Sequence, residues 1–446
     1  MGSTIASGPA TEIAGWGRFP TALAEERRSE DLVGLTVGAS LTRGAGRAYG
    51  DAALPAPTDR RVANSTLANR ILDFDARTGV VTAEAGFTLD DLYRVFLPHR
   101  YFTPVTPGTR FVTLGGMVAS DVHGKNHHRD GTIGQHVDSI RVRVGSGDVV
   151  ACSRSLNPHL FRATLGGMGL TGHILEVALR LARVPSPWIL AEQERIPDIA
   201  TFISTLEKDG RAWPMTAGWI DCLSRGRTLG RGVLYRGRWA TQDEAPDSFP
   251  HLSRPRPLPV RHASFLLRPF TVRAFNTLNY WKSLPTVRRA VVHPAGFFYP
   301  LDSLADWNRL YGKRGFIQYQ CVLPKEAGAD APVAFLRRLT ERGGASFLCV
   351  IKDCGPEGIG LLSFPRPGVS IALDIPMGDS VQSLVDSLNE LVIEAGGRIY
   401  LAKDALTRPE HFRRMEPRLD EFLRVRREWD PNGRIRTAQS VRLFGW

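Results

Sequence analysis

The residues best suited to chemistry gather between Pro104 and Val144, around the run His123-Gly-Lys-Asn-His-His128. Imidazoles exchange protons near neutral pH and ligate metals, and a desolvated lysine becomes a base. Two chemistries are therefore open to this run. One is proton transfer beside a bound ligand. The other is a metal set drawn from His123, His127, His128 and Asp121. Upstream lie the turn Pro107-Gly108-Thr109, the pair Gly115-Gly116 and the small residues Ala119 and Ser120. Small residues let backbone approach a flat or charged group, and their free N–H groups bind phosphate. The polar run would then lie beside whatever is held there. The stretch closes on an alternating strand with Ile140, Val142 and Val144 on one face.

Two more glycine-rich segments offer similar contacts. Gly44-Ala-Gly-Arg-Ala-Tyr-Gly50 is not a Walker A loop, because no Gly-Lys-Ser/Thr follows, and it does not open a helix as G-x-G-x-x-G does. Its backbone N–H groups and Arg47 still make a sensible pyrophosphate cradle. Gly169-Leu-Thr-Gly172 feeds a strand over 174–181. Together these segments give three candidate backbone contacts to one large ligand.

Several elements must position these contacts. A short apolar strand over residues 32–43 is expected to lead into the Gly44 loop, and another strand spans 79–85. Thr88 and Asp91 form a capping box for a helix with Leu89, Leu92, Tyr93 and Phe96 on one face, ended by Pro98. Residues 145–148 are a hairpin turn, and Asn157-Pro158 opens a short helix stopped at Gly166-Gly167. Pro185 and Pro187 break the pattern and mark a domain boundary. Beyond it the chain repeats one unit. A helix from about 332 stops at Gly343-Gly344, and a strand over 346–351 ends at Lys352. A helix from about 380 stops at Gly396-Gly397, and a strand over 398–402 ends at Lys403. An antiparallel sheet with helices on one face explains this repeat. The tail 410–425 is one amphipathic stretch, followed by a helix stop at 429–433.

Composition narrows the function. The chain of 446 residues is long enough for two or three domains. With 43% hydrophobic and 23% charged residues it is an ordinary globular protein. It has no apolar run of about 18 residues, and its start lacks the basic and apolar regions of a secretory signal. Five scattered cysteines without metal-ligand spacing suggest a reduced, cytoplasmic protein. The net charge of +12 suits nucleic acid, an anionic membrane face or a phosphorylated substrate. Dispersed arginines and the lack of a recognition motif speak against nucleic acid. Residues 249–293 mix basic and aromatic side chains with no acidic one. They read either as an interfacial segment on anionic lipid, making the protein peripheral on a membrane, or as an ordinary surface loop of an arginine-rich chain.

In this order Gly44–Asp51 (GAGRAYGD), Pro107–His128, Gly166–Gly172 (GGMGLTG), Gln318–Gln320 (QYQ), Ser363–Pro365 (SFP), Tyr400–Asp404 (YLAKD) and Asp430-Pro431 resemble the decaprenylphosphoryl-β-D-ribose 2′-oxidases. These are FAD-binding oxidoreductases of the vanillyl-alcohol-oxidase type. The resemblance runs from Trp16 through nearly the whole chain, and its most specific motifs are His-Gly-Lys-Asn-His-His and Tyr-x-Ala-Lys-Asp. It implies a two-domain α+β fold. An FAD-binding domain of residues 1–185 would be rejoined by 398–446, and an antiparallel-sheet substrate domain of 186–397 would be inserted between them. It also implies that flavin takes a hydride from C2′ of a polyprenylphosphoryl-β-D-ribose. A partner short-chain reductase would then complete epimerisation to the arabinose form, feeding arabinan and cell-wall biosynthesis.

By position, the resemblance assigns FAD to Gly44, Ala45, Gly46, Arg47, Ala48, Tyr49, Gly108, Thr109, Thr113, Gly115, Gly116, Ala119, Ser120, Val122 and Ile174, with Tyr400 also touching it. Lys403 would sit at the flavin and the reacting hydroxyl. His123, Lys125 and Gln320 would line the substrate side, with Phe298, Gln318, Lys352, Ser370 and Ala372 completing it. Either Lys403 or His123 would be the base. No metal is expected, because the implied reaction needs none. Tyr49 stands where a cofactor-linking histidine would be, so the FAD is expected to be non-covalent. A soluble sugar, polyol, lactone or nucleoside is the alternative substrate on the same fold. A non-enzymatic basic binding protein is the remaining reading.

The chain departs from the mycobacterial pattern at three positions: Ala372 for cysteine, Ser370 for asparagine and Phe298 for tyrosine. That cysteine is the attachment point of the family's covalent nitroaromatic inhibitors. Turnover with such a compound should therefore leave the mass of this chain unchanged. A covalent adduct found by intact-mass spectrometry would contradict the alignment at Ala372.

Overall fold

Alternation along the strands accounts for most of the architecture. In Val137–Val144 the side chains of Ile140, Val142 and Val144 are buried, as the sequence pattern predicts. This strand lies second in an antiparallel sheet ordered Val149–Ser153, Val137–Val144, Gly172–Arg180, Val80–Glu84, Ile71–Asp75. Helix Leu89–Phe96 opens on the expected capping box, with Thr88 Oγ1 accepting from Asp91 N and the Asp91 carboxylate accepting from Thr88 N. A smaller mixed sheet contains Thr21–Arg28, Arg61–Asn64 and Thr42–Arg43 in parallel pairs. The computed structural model describes residues 6–7, 9–258, 267, 269–283 and 287–446. Arg261, Phe265, Leu266 and Arg268 of the basic, aromatic segment lie outside them.

The second large sheet is antiparallel throughout and eight-stranded. Its order is Arg288–Val292, Ile189–Ile196, Gly232–Trp239, Met215–Ile220, Cys349–Cys354, Gly368–Pro376, Phe316–Pro324, Arg398–Ile399. Helices Ile199–Ala212, Asp330–Glu341 and Val381–Glu394 cover one face. Ile317, Tyr319 and Cys321 enter that core beside Phe335, Leu336, Leu384 and Leu388. The alternate residues Gln318 and Gln320 therefore point the other way, into a cavity. All five cysteines are unpaired and buried. Among the described residues no helix is long and apolar enough to cross a membrane.

Four local expectations are corrected. Residues 32–35 form a helical turn, Leu32–Leu35, because the Asp31 carboxylate caps Gly34 N at 2.8 Å; only Thr42–Arg43 is strand. Lys352 lies inside strand Cys349–Cys354 and not at a strand end. Ser346 Oγ bonds both the carbonyl and the N–H of Leu348, which delays the strand. The strand leading to Lys403 stops at Ile399, and Tyr400 to Asp404 form a turn. The tail is two helices, Pro409–Met415 and Leu419–Trp429, because Pro417 cannot continue the first.

Candidate active site

The cavity encloses about 1450 Å³ between the eight-stranded sheet and the glycine-rich segments. The Gly44 loop leaves strand Thr42–Arg43 and runs against Thr113, the N-cap of helix Leu114–Ala119. Thr113 Oγ1 accepts from Gly116 N at 3.3 Å, and a Cβ on Gly44 would collide with that hydroxyl. Only glycine permits this approach. A Cβ on Gly108 would meet nothing within 4 Å, so this wall leaves room for a ligand. The Arg47 guanidinium stacks 4.0 Å from the Trp16 ring centroid, and its Nε has no hydrogen-bond partner among the described residues. A guanidinium so placed is free to meet an anion. Ala45, Gly46, Ala48, Thr109, Gly115, Ala119, Ser120, Val122 and Ile174 line the same cavity.

Lys403 owes its place to two backbone seams. Tyr400 N donates to Gln320 O at 2.9 Å, and Tyr49 N donates to Ala402 O at 2.9 Å. The turn closes with Lys403 N donating to Tyr400 O at 2.9 Å. The ammonium then lies 3.9 Å from the Tyr49 ring centroid. Burial pushes its pKa down to about 7 despite Asp374, and Lys352 adds to the fall. Behind this seam Arg442 donates to both oxygens of Asp51 and to Asp404, each at 2.8 Å. Sequence reasoning missed this clamp. Its one signal is that Gly-Asp51 and Lys-Asp404 each end a motif on an aspartate.

His123 is held neutral. Its Nε2 lies 3.0 Å from Gln320 Nε2, which also donates to Ser370 Oγ at 3.2 Å. The amide therefore donates to His123 Nε2, and the imidazole proton is assigned to Nδ1. Burial and the neighbouring Lys352 press the pKa of His123 well below its ordinary value. The ring packs 5.3 Å from Phe364 and 5.1 Å from Tyr400, whose hydroxyl donates to Ser120 O at 2.9 Å.

The rest of the histidine run disperses. His127 Nδ1 accepts from Gly355 N at 3.0 Å, and His128 Nε2 lies 3.0 Å from Trp213 O. Asp121 accepts from Gly134 N and from Ser363 Oγ. Among the described residues no group of three or more His, Cys, Asp or Glu is arranged to hold a metal ion.

Lys125 and Lys352 complete the polar part of the cavity. Lys125 Nζ donates to Phe298 O at 3.1 Å, and burial next to Lys352 pushes its pKa down to about 7. Phe298, Gln318 and Ala372 line the cavity as well. Ser370 does not. Its side chain is buried on the strand, where it accepts from Gln320, so it acts on that amide and not at the cavity surface. Asp374 was not anticipated. It accepts from Gln318 Nε2 at 2.6 Å and from Tyr311 Oη at 3.0 Å, and burial lifts its pKa to about 6. A carboxylate alternating with Ala372 on a strand otherwise free of charge was the available signal.

Residues 39–153 match the FAD binding domain family. The chain is 35% identical to the decaprenylphosphoryl-β-D-ribose oxidase of Mycolicibacterium smegmatis, over 97% of either chain. This chain belongs to the decaprenylphosphoryl-β-D-ribose oxidase family. It is also 31% identical to an uncharacterized protein in the mprA 5′ region of Streptomyces coelicolor, over 80% of this chain and all of that one. L-gulonolactone oxidase of Mus musculus matches at 31% identity over 25% of each chain. Like its family, the chain is an FAD-dependent oxidoreductase with the α+β fold of the vanillyl-alcohol-oxidase type. The glycine wall, the open space at Gly108 and the unpartnered Arg47 Nε suit that cofactor.

Gly44→Ala should push the loop off Thr113 and weaken FAD retention by at least tenfold, roughly one hydrogen bond's worth of displaced backbone. Flavin content after gel filtration checks this. Undiminished flavin would mean that the loop has slack.

Proposed function

We propose that this chain oxidises the C2′ hydroxyl of a polyprenylphosphoryl-β-D-ribose to the 2′-keto sugar. Residues 1–185 and 398–446 would form the FAD unit, and 186–397 the substrate unit. The observation that carries this reading is the placement of Lys403 on the Tyr49 ring, in a cavity shared by the glycine wall and the Gln320–His123 pair. Bound FAD supplies the hydride acceptor, held non-covalently because the Gly44 loop offers no histidine. Lys403 removes the hydroxyl proton. An amine with a pKa near 7 is substantially neutral at physiological pH, whereas His123 already accepts at Nε2. Gln320 and His123 orient the pentose. Trp219, Tyr235, Phe275, Phe347 and Val350 give the cavity an apolar stretch that suits a prenyl chain better than a soluble sugar. The keto product is then a substrate for a short-chain reductase partner.

Contact with an anionic membrane would deliver that substrate. Helix Pro269–Lys282 lines the cavity with Thr271, Phe275 and Asn279. It also leaves Phe270, Leu278 and Trp281 exposed at 84%, 71% and 59%. Arg273, Lys282 and Arg288 are exposed around them. Cosedimentation with phosphatidylglycerol vesicles should fall at least about fivefold in Phe270→Glu/Trp281→Glu, two apolar anchors being lost. No vesicle binding by the wild type at low salt would reject the contact.

The purified protein should be yellow and should release its flavin on acid precipitation. A short-chain prenylphosphoryl-β-D-ribose added without oxygen should bleach it. Below a pH of about 7 Lys403 is protonated and cannot accept, so the limiting bleaching rate should rise with pH and level off above that value. Lys403→Met should lower the rate by roughly 10²–10⁴ and abolish this limb. Bleaching by aldonolactones or free polyols but not by the prenylphosphoryl sugar would replace the lipid substrate with a soluble one.

A further inference from the structure

Three lysines line the cavity, yet only Lys403 feels a carboxylate, that of Asp374. Lys125 is acted on by burial and by Lys352, and its ammonium donates to a single carbonyl. The Lys352 ammonium has no hydrogen bond or ion pair among the described residues. The adjacent Asp353 does not serve it. Strand alternation sends Asp353 to the opposite face, towards His128, Lys325 and Glu207. Lys352 also depresses the pKa of His123, His127 and Lys403, so the positive potential of the cavity centres on it. Two ammoniums that share one desolvated cavity repel strongly. They stay charged together only if an anion lies between them; otherwise one gives up its proton.

Strand register locates Lys352 along the cavity, and Lys125 O accepts from Thr216 N at 2.8 Å on the neighbouring strand Met215–Ile220. Gln320 stands opposite Ala372, Ala372 opposite Val350, and Val350 opposite Trp219. Lys352 is two residues beyond Val350 on the same face, opposite Ser370. At roughly 5 Å per strand, Lys352 is about 10 Å across the sheet from Gln320, and the apolar Trp219 is one strand farther. Across the sheet Lys352 thus lies between the strand of the pentose-binding Gln320 and that of Trp219, with the apolar Val350 beside it on its own strand. A prenylphosphoryl pentose presents its sugar, its anion and its chain in the same order.

We propose that Lys125 and Lys352 form a subsite for the phosphodiester anion of the substrate, between the pentose-binding groups and the apolar wall. The proposal rests on the prenylphosphoryl-pentose reading and assigns the one group of that substrate otherwise left without a partner. Both residues bind and neither transfers a proton.

The test compares farnesylphosphoryl-β-D-ribose with farnesyl β-D-riboside, which lacks the phosphate, in anaerobic flavin bleaching by enzymes that retain FAD. For the phosphorylated substrate, Lys352→Met should raise the half-saturating concentration roughly 30-fold, more than it lowers the limiting rate, the effect of one charge-assisted contact. Lys125→Met should act in the same direction, and Lys352→Arg should recover most of the loss. For the riboside, the half-saturating concentrations of wild type and Lys352→Met, measured at a pH above the Lys403 limb so that its shifted titration does not enter, should differ by less than about threefold. An equal loss on both substrates, or no loss on either, would overturn the subsite. If neither compound bleaches the wild type, the substrate reading itself fails. The subsite is then read separately by titrating the flavin spectrum with farnesyl phosphate. Saturable perturbation in the wild type but not in Lys352→Met supports it, and no perturbation in the wild type rejects it.

Discussion

The Arg442 guanidinium, shared between Asp51 and Asp404, holds the site together. The two carboxylates are 4% and 6% exposed, so the cluster is a nearly buried network of charge. Removing one member of such a cluster costs about 3–5 kcal/mol, because it leaves the others as unpaired buried charges. Asp51 directly follows the Gly44 loop, and Asp404 directly follows Lys403. The clamp therefore fixes two segments from opposite ends of the chain in one geometry, and the bond from Tyr49 N to Ala402 O completes it. Gly50 is part of this closeness, since a Cβ there would collide with the Asp404 carbonyl.

That closeness also governs charge. Burial and Asp374 raise the pKa of Tyr49, so the ring beneath Lys403 stays a neutral phenol. Lys403 is poised between Asp374, which favours its ammonium, and burial with Lys352, which favours its amine. His123 is removed from this competition, because burial and the Gln320 amide both favour the neutral ring. The cavity thus separates a proton acceptor from a polar neutral neighbour by environment alone, although an imidazole is the better base in water. Farther along, the lysines lack any such counterweight. The wall becomes a place for an anion.

What the sequence disclosed was local. The capping box at Thr88, the alternation of Val137–Val144 and the repeated helix, glycine pair and strand all follow from rules that span a few residues. The glycine-rich segments were legible for the same reason. The histidine run was not, because what separates His127 and His128 from His123 is supplied by Gly355 and Trp213, far away in sequence. Lys352 fell at a strand end in the sequence reading because the bonds of Ser346 to Leu348 look, locally, like any other strand start. Arg442 carries no mark that distinguishes it among so many arginines. Its meaning appears only when Asp51 and Asp404 meet.

The eight-stranded sheet explains which parts of the site are free to vary. Ile317, Tyr319 and Cys321 on one strand, Cys349 and Ile351 on the next but one, and Ile371 and Leu373 between them are buried under the helices. A slip of one residue would turn all of them into the cavity, so the register is fixed by the core and not by the site. The alternate positions are then carried passively. Gln318, Gln320, Lys352, Ala372 and Asp374 face the cavity whatever their chemistry. Substitution at Ala372 reshapes the floor of the site, and substitution at Ser370 changes the support of the Gln320 amide, while the helix-covered face stays packed. Lys403 has no such freedom. It is placed by a turn, a neighbouring loop and a buried charge cluster, each of which needs the others. The sheet can change what the cavity recognises; the clamp holds where Lys403 lies.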